Sequence, residues 1–282
     1  MKIYNDIKII RTLLGLSQDE LAKEVGVTSQ VIYRWENNLA EPEEFNVERL
    51  YTLAFKNKIY LNKLYEQMFN DEYQSDSKVL FHGSKSEIVG KLSLNRSKVF
   101  NDFGNGFYLG ETFKQASTYI SYSSSHNVYA YRLDITDLNF AKFDVSLEWM
   151  LAIAFYRGWL DNYEQSKAIK KILDKVSKAD VVIAPIADNR MFDLIDDFVN
   201  GNITDLQCIH ALAVTNLGFQ YVIKSNKALD KLELIKRMFL TTAEKFKYSE
   251  LRLEESKVGL DKVKLARSEY RGKGKYIEEV LK

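Results

Sequence analysis

The chain carries one cysteine, two prolines and three histidines among 282 residues, and almost no net charge. The single Cys208 excludes an intrachain disulfide framework and fits a reducing compartment. With His82, His126 and His210 it makes no metal-ligand spacing, so no structural zinc is expected. A net charge of +1 gives no global field, so any nucleic-acid binding must come from a local patch. No apolar run reaches the roughly 18 residues of a membrane span. The opening MKIYNDIKII also lacks the long apolar segment of a secretory signal. The expectation is a soluble, cytoplasmic protein without membrane contact. Pro42 and Pro185 each stand where an element should end.

What is present supports a folded, multidomain chain. At 46% hydrophobic and 28% charged, the composition sustains a packed core, and the length suits two or three domains. Ile3, Ile7, Ile10, Leu13 and Leu14 fall at helical spacing. Ser17 opens a second helix with Glu20 three positions on, a capping-box pattern in which each residue satisfies the other's free amide. Leu21, Ala22 and Val25 face inward, and Gly26 supplies a tight turn. Thr28 caps a third helix anchored by Ile32 and Trp35, and Pro42 precedes a fourth with Val47, Leu50, Leu53 and Ala54.

The segment SQDELAKEVGVTSQVIYRWENN resembles the repressor-type helix-turn-helix family over residues 5–55. The resemblance implies binding to a double-stranded DNA operator, as a homodimer on two half-sites. Ser29 and Gln30 would reach base edges, and Gln18 and Arg34 would take phosphates. The implied DNA-contacting set is Gln18, Thr28, Ser29, Gln30, Tyr33 and Arg34.

Residues 56–77 read as a helical connector that ends at DEYQSDSK, a domain boundary. From Val79 short strands alternate with helices: KVLFHGS, NVYAYRLDI, DVVIAPI and GFQYVIKS, with helical stretches near 111–122, 146–176, 190–199 and 204–213. An α+β domain is expected over 73–229, after an all-α unit over 1–72 and before a charged helical tail over 230–282. The apolar helix SLEWMLAIAFYRGWL contains Glu148 and Arg157 and belongs to a core. His126, His210 and Cys208 read as structural.

Two segments of the second domain stand out: Phe81-His82-Gly83-Ser84, and Asp102-Phe103-Gly104-Asn105-Gly106-Phe107-Tyr108-Leu109-Gly110. Gln115, Ala116 and Tyr119 follow on the next helix. Singly, the first is a strand end and the second a hairpin turn. In this order they resemble ADP-ribosyltransferases of the histidine-tyrosine-glutamate class, the group containing diphtheria toxin and the poly-ADP-ribose polymerases. The resemblance implies NAD as substrate and a site built from His82, Tyr108 and Gln220. His82 would bond a ribose hydroxyl, Gly83 would admit the carboxamide to its backbone, and Tyr108 with Tyr119 would offer stacking faces. Ser84, Arg96 and Gly106 complete the implied NAD contacts, with Arg96 at the pyrophosphate.

This chain departs from that class at one position. Gln220 stands where the family has a glutamate, and a neutral amide lacks the full charge of a carboxylate. Asp102, Glu111 or Asp188 is a possible substitute, although Asp188 equally suits an N-cap. Ser123-Ser124-Ser125 comes without the ExE motif of arginine-specific transferases and carries no argument. Three functions remain open. One is a DNA-binding ADP-ribosyltransferase in a toxin–antitoxin or phage-defence setting, with a cognate antitoxin as partner. Another is a transcription regulator whose transferase-like domain only senses NAD. The third is a purely structural interaction protein.

Overall fold

In a computed structural model that describes residues 3–73, 75–97 and 100–282, the chain opens on five helices. They are α1 (Tyr4–Leu13), α2 (Gln18–Val25), α3 (Ser29–Glu36), α4 (Glu44–Lys56) and α5 (Leu61–Glu72). Ser17 and Glu20 form the expected capping box, and Gly26 takes the left-handed conformation that ends α2. Thr28 stands at the N-cap of α3, but its hydroxyl makes no cap hydrogen bond. Ile32 and Trp35 are buried, as the helical spacing requires. The carboxylate of Glu36, also buried, accepts from Arg11 Nε and from Gln18 Nε2, each at 2.6 Å, which ties α1, α2 and α3 together.

The remaining chain runs β1 (Ser77–Ser84), β2 (Phe107–Gly110), α6 (Phe113–Ile120), β3 (Asn127–Asp134), β4 (Phe140–Lys142), α7 (Leu147–Tyr156) and α8 (Lys167–Ser177). It continues through β5 (Val181–Pro185), α9 (Asn189–Val199), α10 (Asp205–Ala213), β6 (Phe219–Ile223), α11 (Asn226–Asp230), β7 (Leu232–Phe239), α12 (Thr242–Glu269) and α13 (Ile277–Leu281). The strands form one sheet in the order β4-β5-β6-β2-β1-β3-β7, antiparallel except for β4 and β5. Directly opposed residues share a face, so the registers place Phe81, Tyr108, Val182 and Gln220 on one side. That side carries the helices. Helices α7 to α10 cover Val182, Ala184 and Val222, while α6 and the N-terminal helices cover Val79, Phe81, Val128 and Met238. Leu80, Leu109, Tyr131, Tyr221 and Ile223 point to the other side, into a smaller cluster closed by loops. This is an α+β arrangement.

Three boundaries differ from the sequence reading. The tail expected to be helical from residue 230 begins with β7, an edge strand on β3. Its charges occur at helix-like spacing, but of these Glu233 alone is exposed, while Lys236 and Arg237 are half-buried and pair with Asp6 and Glu87. The helix expected over 146–176 is two helices, because Gly158 takes φ 80° and turns the chain after α7. The boundary at residue 72 closes α5 but divides no core. Ile7, Leu50, Tyr51 and Tyr65 lie in the same apolar cluster as Phe81, Val128 and Phe239. No helix among the described residues is long and apolar enough to cross a membrane.

Candidate functional site

Strand β1 pairs with β3 along its whole length but meets β2 only at Phe81 and Gly110. Beyond that pair the two central strands splay, and the His82 side chain bridges them. Its ring stacks on Phe107 with centroids 4.5 Å apart, and Nδ1 lies 2.7 Å from the main-chain oxygen of Tyr108. A carbonyl only accepts, so Nδ1 carries the proton. Burial holds the imidazole pKa below its ordinary value, more strongly than that hydrogen bond raises it. The neutral ring therefore presents Nε2 as a hydrogen-bond acceptor, with no partner for it among the described residues.

Tyr108 is held at its hydroxyl. The Oη donates to the Gly104 carbonyl at 2.7 Å and accepts from Phe103 N at 3.2 Å, which fixes the ring against the glycine turn. Burial first, with the nearby Asp102 charge, raises its pKa. Gly104 takes φ 66°, and a Cβ at Gly106 would lie 2.7 Å from Val222 Cγ1, so both glycines are required by the turn and by its approach to β6. Ser97 Oγ accepts from Gly106 N at 3.0 Å. Lys224, at the end of β6, donates to the carbonyls of Phe103 (2.7 Å) and Asn105 (2.5 Å) and clasps the same turn. Burial lowers its pKa to about 8, and no carboxylate lies within ion-pair distance among the described residues.

Gln220 is buried on the face that carries Tyr108. Its Nε2 donates to Asp102 Oδ2 at 3.0 Å and to the Pro185 carbonyl at 3.1 Å. Asp102 Oδ1 in turn accepts from Arg157 at 2.9 Å, and the guanidinium lies 3.3 Å above the Phe192 ring. Tyr108, Asp102, Gln220 and Arg157 thus form one polar cluster beneath the glycine turn. His82 joins Tyr108 through the main chain and leans across the splay, on the opposite side of the sheet from Gln220.

Other expected residues divide. Gly83 faces α6, where a Cβ would sit 2.2 Å from the Ala116 carbonyl oxygen, so what its missing side chain admits is a helix. Ser84 is half-buried and accepts from Ser86 N at 3.4 Å. Tyr119 is 62% exposed on α6, with Lys85 Nζ 5.3 Å from its ring. The side chain of Arg96 lies outside the described residues. Asp188 caps α9 through Met191 N at 3.0 Å and pairs with Arg190. Glu111 accepts from Phe219 N, and Thr112 forms a capping box with Gln115. Lys224 and Arg157 were not expected at the site. Arg157 had one signal, a charge closing an otherwise apolar helix. Among the described residues no group of His, Cys, Asp and Glu is arranged to hold a metal.

On the N-terminal unit, Thr28, Gln30, Tyr33 and Arg34 are exposed on α3 and Ser29 is half-buried. Ser29, Gln30 and Tyr33 line a concave surface with Arg11, Ser17, Gln18 and Asp19. One N–H of Gln18 is committed to Glu36, which leaves its second for an outside acceptor.

The family described as Protein of unknown function (DUF3990) matches residues 78–234, more than half of the chain and inclusive of His82, Tyr108 and Gln220. The family described as Helix-turn-helix matches residues 7–50, from α1 into α4. The N-terminal unit is therefore a repressor-type helix-turn-helix, which supports DNA binding. No curated protein and no solved structure matches the chain.

Proposed function

This chain belongs to the DUF3990 family, and from that premise we propose that it is a DNA-binding ADP-ribosyltransferase. In this reading it cleaves NAD and transfers ADP-ribose to a macromolecule, as a bacterial toxin of a toxin–antitoxin or phage-defence system. The bond between nicotinamide and ribose C1 breaks with its electron pair on nicotinamide, through an oxocarbenium-like state. The acceptor's nucleophile then adds at C1 and loses its proton. The helix-turn-helix addresses the protein to an operator as a homodimer, and a cognate antitoxin restrains it in the cytoplasm.

The observation that carries the reading is the bond from His82 Nδ1 to the Tyr108 carbonyl. It leaves Nε2 as an acceptor at the splay between β1 and β2, and an acceptor there suits a ribose hydroxyl. Tyr108, locked at its hydroxyl, offers a fixed aromatic face on the Gln220 side of the sheet, preorganised for a flat amide. Lys224 adds a cation without a carboxylate partner, which favours an anionic dinucleotide.

The second reading, an NAD-sensing regulator without turnover, is favoured by the neutral side chain at Gln220. Purified protein incubated with labelled NAD, cell lysate and duplex DNA separates them. Transfer of label with release of nicotinamide, both lost in Tyr108→Ala, is the expected result. Binding of NAD without nicotinamide release supports the sensor, and no binding removes both.

A further inference from the structure

Asp102 Oδ2 and the Pro185 carbonyl are both acceptors, and both contact one end of Gln220. The carboxylate of Asp102 pairs with Arg157, and neither a carboxylate nor a carbonyl has a proton to give. The end that meets them is therefore the NH2 group, whichever way an amide is drawn. Both of its N–H donors are used. Oε1 is left without a hydrogen-bond partner among the described residues, on the face shared with Tyr108.

We propose that Asp102 is a positioning residue that turns Gln220 into an obligatory acceptor aimed at a ribose hydroxyl, an inference that rests on the NAD-transferase reading above. A carboxylate that accepts from Nε2 also draws the amide toward its charge-separated form and makes Oε1 more negative. Arg157 completes the arrangement by holding the other oxygen of Asp102, so the carboxylate cannot swing away. Gln220 is then no eroded glutamate. It is the residue that this buried aspartate requires, because a glutamate would set a second carboxylate against the first and against the Pro185 oxygen.

The inference separates from the eroded-glutamate account at Gln220→Glu. Two carboxylates at this spacing cannot both ionise, so one carboxyl pKa rises. The variant is expected to bind NAD at least ~10-fold more weakly than the wild type at pH 8, a loss on the scale of one charged hydrogen bond. The loss should narrow as pH falls and one proton is shared. In the wild type the side-chain amide protons of Gln220, identified in a nitrogen-15 spectrum by their absence from Gln220→Glu, should lie downfield of the other glutamines and move upfield in Asp102→Asn. Thermal melts of each variant verify folding. If Gln220→Glu binds NAD as well as the wild type at every pH, or the amide resonance ignores Asp102→Asn, the inference is overturned while the transferase reading stands. If the wild type binds no NAD, the transferase reading falls and the ribose-facing half of the inference falls with it; the amide resonance still decides the Asp102 half.

Discussion

Lys236 of the edge strand donates to Asp6 of the first helix at 2.9 Å, across 230 residues of chain. Asp6 is fully buried and also accepts from the hydroxyls of Tyr51 and Tyr65. Burial first, then the charge of Asp6, raises the pKa of both phenols. The helix-turn-helix unit and the sheet are joined here by charge as well as by shared apolar core. Asn62 Nδ2 adds a bond to the Phe239 carbonyl at 2.8 Å, and Glu66 accepts from Phe113 N, the first amide of the helix that carries Tyr119.

Removing one member of a buried ion pair leaves the other uncompensated, at a cost of about 3–5 kcal/mol. Asp6→Ala should therefore lower the stability of the whole chain, read by urea unfolding. Probes on the N-terminal helices and on the sheet should shift together. Two separate transitions, with only the N-terminal one moved, would show that the units unfold independently.

The exposed side chains of α3 make distinct predictions for DNA. With a duplex selected by the protein from a random pool, Arg34→Ala should weaken binding across all sequences and reduce the salt slope by about 1. Gln30→Ala should cost about 1–3 kcal/mol on the preferred sequence only. Fluorescence anisotropy at several salt concentrations reads both. Equal losses on every duplex for Gln30→Ala would remove it from base contact.

His82 sets a pH dependence whose sign is fixed. Its pKa in the folded chain lies below the ordinary 6.5, so the fold favours the neutral ring. That contribution to stability is complete above the unfolded value and is lost as pH falls from there through the lowered value. Protonation also converts Nε2 from acceptor to donor. NAD affinity should be level from neutral pH upward and fall on acidification, with the imidazole shift in NMR following the same curve. Affinity that rises on acidification would contradict the assigned acceptor role.

Gly83→Ala places a methyl 2.2 Å from a backbone oxygen of α6, where only movement of the helix relieves the contact. A cost of about 1–3 kcal/mol is expected, as for overpacking elsewhere. Unfolding midpoints in urea check it, and a change within error would mean that α6 is not seated on β1.

Some parts of this molecule are legible in its sequence and others are not. The helix-turn-helix is legible because its signals are local: Ser17 with Glu20, Gly26 at a left-handed turn, and Ile32 with Trp35 one helical turn apart. β1, β3, β5 and β6 announce themselves by short apolar runs. β7 does not, because Glu233, Lys236 and Arg237 repeat at helical spacing, and β4 has only three residues paired to a single neighbour. The order of the His82 and Tyr108 segments foretold that they meet, although not that the ring would bond the main chain. The contact between Asp102 and Gln220 spans 118 residues and depends on β6 lying beside β2, which no spacing reveals. Gly83 is also required by the close approach of α6, a contact that no local spacing reveals.

The central claim is that the splay between β1 and β2 receives NAD. A crystal structure of the full chain with NAD tests it most directly. The account predicts nicotinamide against the ring of Tyr108, with His82 Nε2 and Gln220 Oε1 each within hydrogen-bond distance of a ribose hydroxyl. NAD bound elsewhere on the chain, or crystals that remain free of it at saturating concentration, would contradict the account.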